Sequence, residues 1–85
     1  MVKVINHHAG RRFTIEEVFT YCDNTCILDD GRIAVCPRMD ANLFNKLDKD
    51  DSILCLTIGD DGEINIEYIR VGTPATPCSV EITVD

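Results

Sequence analysis

Ile53-Leu54-Cys55-Leu56-Thr57-Ile58-Gly59-Asp60-Asp61-Gly62-Glu63-Ile64-Asn65-Ile66-Glu67-Tyr68-Ile69 reads as two strands around a turn. Apolar residues recur at every second position on both arms, which is the period of a β-strand. Gly59 to Glu63 form the loop, with Gly62 free to adopt a turn conformation that other residues resist. This loop pairs Ile58 with Ile64, Leu56 with Ile66 and Leu54 with Tyr68. These six side chains then share one face, expected to be the buried one. Ile53, Cys55, Thr57, Asn65, Glu67 and Ile69 occupy the other face, which is mixed in character.

Moving toward the N-terminus, Asp40 is suited to cap a short helix whose expected buried stripe is Leu43, Phe44 and Leu47. Before it, Cys26-Ile27-Leu28 and Arg32-Ile33-Ala34-Val35 flank Asp29-Asp30-Gly31 as a first hairpin, closed by Pro37. A loop centred on Gly31 would set Cys26 opposite Cys36. Earlier still, Thr14 and Glu17 have capping-box spacing, and Ile15, Val18, Phe19 and Cys22 fall on one helical face. Val2 and Val4 predict a first strand, and Val80, Ile82 and Val84 a last one, while 72–77 reads as a loop. The order is strand, helix, hairpin, helix, hairpin, strand. It predicts a single α+β domain over 1–85: an antiparallel sheet of five to six strands with two short helices on one face.

Composition limits what such a domain can do. At 85 residues the chain has room for one core and none for a separate cofactor domain. A net charge of −7 opposes a main role in gripping nucleic acid phosphate. Residues 1–38 balance five basic against five acidic groups, whereas 39–85 hold three basic and ten acidic ones. No stretch is apolar enough to span a membrane and no secretory signal is evident, so a cytoplasmic setting is expected. Five cysteines cannot all pair internally, which also suits a reducing compartment.

Few residues point to chemistry. His7 and His8 are the only histidines, and no nucleophile–base or metalloprotease motif accompanies them. No catalytic residues, enzymatic activity or cofactor are expected. His8, Arg11 and Arg12, just before the first helix, form a candidate anion site. Cys22, Cys26 and Cys36 with His7 form an alternative zinc set, although the spacing departs from known zinc motifs. Asp60-Asp61-Gly62-Glu63-Ile64 shares the centre of a calcium loop but lacks the flanking oxygen ligands.

The charge asymmetry gives the leading functional expectation. Asp48, Asp50 and Asp51 at one end of a strand, with Asp60, Asp61 and Glu63 at the other, would dock a protein partner with a basic surface. A small acidic inhibitor or decoy of a nucleic-acid-handling protein, of the phage anti-CRISPR or anti-restriction kind, is one specific form. A zinc-stabilised module and a homo-oligomeric accessory subunit are the alternatives. A homodimer would form through the mixed hairpin face or an edge such as Val80–Val84.

Overall fold

The computed structural model describes residues 2–7, 11–21 and 24–84. Among these residues, eight strands and two short helices follow one another as β1 (Val2–Asn6), β2 (Phe13–Thr14), α1 (Ile15–Tyr21), β3 (Thr25–Leu28), β4 (Ile33–Val35), α2 (Ala41–Phe44), β5 (Ser52–Ile58), β6 (Ile64–Arg70), β7 (Pro74–Pro77) and β8 (Val80–Val84). Six of the strands make one antiparallel sheet in the order β2-β7-β3-β4-β5-β6. The expected single sheet is incomplete as a description, because β1 and β8 pair apart from it as a two-stranded antiparallel sheet. The domain is α+β, dominated by strands.

Local chemistry accounts for the boundaries. The Thr14 hydroxyl accepts from the Glu17 amide at 3.2 Å, and the Glu17 carboxylate accepts from the Thr14 amide at 3.0 Å. The Ile15 and Glu16 amides donate to the carbonyls of Thr73 and Val71, so the start of α1 has partners for its otherwise orphaned donors. Asp40 caps α2 by accepting from the Leu43 amide at 2.8 Å. Gly31 (φ 91°) and Gly62 (φ 82°) take the left-handed conformation in the two hairpin turns, where a side chain would be strained.

Strand β7 occupies part of the segment expected to be a loop. Its two prolines fall at its ends, where a missing N–H costs the ladder least, and the Cys78 amide resumes bonding to the Thr25 carbonyl. Ala75, fully buried, sits between Phe13 and Leu28. Without β7, strands β2 and β3 would not be joined.

The main core lies under α1 and α2. Ile15 and Val18 from α1 and Phe44 from α2 pack on Cys26, Leu28, Ala34, Cys36, Ile53, Cys55, Ile69, Val71 and Ala75. The Phe19 and Phe44 rings meet at 5.1 Å, inclined by 60°. Leu43, expected in the core, is exposed. Four residues make a single turn, and that turn can aim only Phe44 inward.

The second hairpin has the expected register: Ile58 faces Ile64, Leu56 faces Ile66 and Leu54 faces Tyr68. Its orientation is the reverse of the expected one. Ile53, Cys55, Thr57 and Ile69 are buried, while Leu54, Ile64, Ile66 and Tyr68 are exposed. Small side chains on the neighbouring strand explain the choice. Ala34 lies beside Thr57, and Cys36 follows next to Cys55, so the helices can approach this side of the sheet closely. The mixed face proposed as a self-association surface is therefore core.

Candidate functional site

Leu54 from β5 and Ile64, Ile66 and Tyr68 from β6 form an apolar surface on the side of the sheet away from the helices. Leu54 is 48% exposed, Ile64 46%, and Ile66 and Tyr68 71% each. Leu56, Ile33 and Val35 extend this side half-buried, since register sets Ile33 beside Ile58 and Val35 beside Leu56. Ile58 belongs to the same side but is buried. Full burial of a large apolar side chain is worth about 1.5–3 kcal/mol, so four left in water forgo substantial stabilisation. Single exposed hydrophobics are ordinary, whereas these four are contiguous on two paired strands.

Acidic groups bracket this face. Asp48, Asp50 and Asp51 precede β5, and Asp60, Asp61 and Glu63 lie in the turn that follows it; all six are exposed. Seven residues of strand separate the groups by about 20 Å, too far to share one ion. Each tip is shaped by its own carboxylates. Asp51 accepts from the Asp48 amide at 2.8 Å, and Asp61 from the Glu63 amide at 2.9 Å. The structure places the two acidic groups at opposite ends of β5, and the apolar surface between them is the one expected from the sequence to be buried. The apolar character of both hairpin faces was the available signal.

On the helix side, a charged cluster closes the end of the core. Arg32 bonds Asp30 through Nε at 2.7 Å and Glu67 through its terminal nitrogen, and the Thr57 hydroxyl donates to Glu67 at 2.7 Å. The Arg32 guanidinium, helped by Thr57, holds the Glu67 carboxyl below the usual glutamate range. A backbone bond from the Arg32 amide, reinforced by its guanidinium, does the same for Asp30. For such depressed groups the stabilisation is present above the unfolded pKa, about 4.3 for glutamate, and is lost as pH falls through the folded value. Glu67→Gln, which keeps an acceptor for Thr57, is therefore expected to be less stable than wild type at neutral pH. Its melting temperature should fall less than the wild type's between about pH 5 and pH 3. Parallel pH dependences in thermal melts would remove Glu67 from the acid response.

Three buried thiols lie in the core. Cys36 and Cys55 approach to 3.3 Å between sulfurs, with the Cys26 thiol neighbouring Cys36 in the same core. The expected Cys26–Cys36 pairing is corrected by register: the turn is Asp29-Asp30-Gly31, which sets Cys26 opposite Ala34. Held between two neighbouring sulfurs in an apolar core, the Cys36 thiol keeps its proton. Burial pushes Cys78 up to about 11. Such thiols behave as small core residues.

The remaining candidates are dispersed. Among the described residues, no three His, Cys, Asp or Glu side chains are placed to hold a metal. Cys22 lies outside the described residues, and His7 bonds Glu81 at 3.0 Å beside the β1–β8 sheet. In the candidate anion site, Arg12 pairs with Asp29, and the Arg11 guanidinium lies 4.1 Å over the Phe13 ring. His8 is also outside the described residues. Among the described residues, no helix is long and apolar enough to cross a membrane. Compared with known proteins, the chain matches no protein family, no curated protein and no solved structure.

Proposed function

We propose that this domain is a protein-binding module whose docking surface is the apolar face of β5 and β6, and whose partner carries basic groups around an apolar patch. The exposure of Leu54, Ile64, Ile66 and Tyr68 on adjacent strands carries the reading. An apolar centre with a charged rim is the general anatomy of a protein interface. Acidic tips at both ends of β5 give that rim its sign. A net charge of −7 accelerates encounter with a basic protein. Inhibition of a basic nucleic-acid-handling protein is the specific form this reading favours, since such proteins present the complementary charge.

The test uses three baits on cell extract: wild type, Leu54→Asp, and the tip-reversed chain in which Asp48, Asp50, Asp51, Asp60 and Asp61 become lysine. The expected result is a basic protein retained by wild type, lost from both variants and released by salt. Loss from Leu54→Asp should be about tenfold or more, the effect of a charge at a desolvated centre. Equal retention by all three baits, or no specific retention by wild type, overturns the proposal.

A further inference from the structure

We infer that β6 is a self-pairing edge, joining the same strand of a second copy so that the six-stranded sheet continues across a two-fold axis. This goes beyond the docking face and rests on different atoms, the backbone groups of the strand edge. β6 is the terminal strand of the sheet and seven residues long, whereas the opposite edge, β2, has two. Protein edges are usually blunted by lysine, proline or a bulge. β6, Ile64-Asn65-Ile66-Glu67-Tyr68-Ile69-Arg70, has no lysine or proline, its register with β5 is unbroken, and its one inward charge, Glu67, is already paired with Arg32.

Its backbone polarity follows from the pairing. The Gly59 amide donates to the Glu63 carbonyl and the Val71 amide to the Asp51 carbonyl, so odd-numbered residues turn their polar groups toward β5. Ile64, Ile66 and Tyr68 therefore turn theirs outward, and among the described residues none has a backbone partner on that side. A two-fold axis through Ile66 brings these outward groups into register. Ile66 then meets Ile66 of the second copy, and Ile64 meets its Tyr68 twice, each pair exchanging both backbone bonds. The same register carries Arg70, without an ion-pair partner among the described residues, to the Asp61–Glu63 turn of the second copy. Shifting the axis to Glu67 would set two glutamates directly opposite. Shifting it to Asn65 would oppose Tyr68 to a glycine. Charge and apolar matching both select the Ile66 register. An interface made of one edge is small, so the dimer is concentration-dependent.

Sedimentation equilibrium of the full chain tests this. The weight-average mass should rise from 9.5 kDa toward twice that value with concentration. Ile66→Pro removes an outward N–H that the monomer does not use, and should hold the mass at that of the monomer with an unchanged circular dichroism spectrum. Should that variant fail to fold, Ile66→Lys at this exposed position sets two ammonium groups across the axis and should equally abolish the dimer. Leu54→Asp disrupts the docking face but not the edge and should still dimerise, which separates failure of this inference from failure of the docking reading. A wild type monomeric at every concentration, or a dimer that survives the Ile66 variants, overturns it.

Discussion

Ile53→Asp is expected to unfold the domain, whereas Leu54→Asp, one residue along the same strand, is expected to leave it folded. Ile53 is 4% exposed and faces Ile69 across the β5–β6 ladder, inside the cluster that α1 and α2 cover. A carboxylate there loses its water and finds no cation among the core residues, a cost of several kcal/mol even if it takes up a proton. Small domains hold only about 5–15 kcal/mol in total, so the native state would not survive in quantity. Leu54 is 48% exposed, and an exposed position away from special features tolerates substitution within about 0.5 kcal/mol. Urea unfolding monitored by circular dichroism would compare the two. The reversed outcome would place the Leu54–Tyr68 side in the core and remove the docking surface.

Ile15→Ala should be the most damaging truncation in α1, costing about 2–5 kcal/mol. Ile15 is fully buried at the first position of the helix, and its amide donates to the Thr73 carbonyl, tying α1 to the segment entering β7. The loss corresponds to a fall in melting temperature of roughly 10–30 °C for a domain of this size. Leu43→Ala is the natural control, because Leu43 is 51% exposed and should change melting by no more than a few degrees. Equal effects at the two positions would mean that α2 packs through Leu43 after all.

The features legible in the sequence are those set by neighbouring residues. Thr14 with Glu17, Asp40 with Leu43, and Gly31 and Gly62 in their turns all act over a few positions, and each does what its spacing implies. The Gly59–Glu63 loop likewise sets the β5–β6 register. Which side of that hairpin meets the helices depends instead on Ala34 and Cys36, some twenty residues upstream and invisible to periodicity. Alternation says that two sides differ and not which is inside. With Ile53, Cys55 and Ile69 on one side and Leu54, Ile66 and Tyr68 on the other, both were apolar enough to bury. The β7 strand was hidden by its flanking prolines, and the β1–β8 pairing by the length of chain between the two. For the site, the acidic tips were readable as charge, whereas the surface between them required knowing the buried side.

Inserting β7 between β2 and β3 also has a consequence for the order in which the chain can assemble. Strands β3 to β6 form a run in which each pairs with its successor, so these contacts close over short spans of sequence. β2, however, is joined to the sheet through residues 74–77, and β1 finds its ladder only in residues 80–84. Closing such long spans is entropically costly and slow. During synthesis the β3–β6 run is complete while both its terminal strand β6 and the open side of β3 are still bare. β7, made after that run, seals the β3 side, leaving β6 as the long edge of the finished sheet.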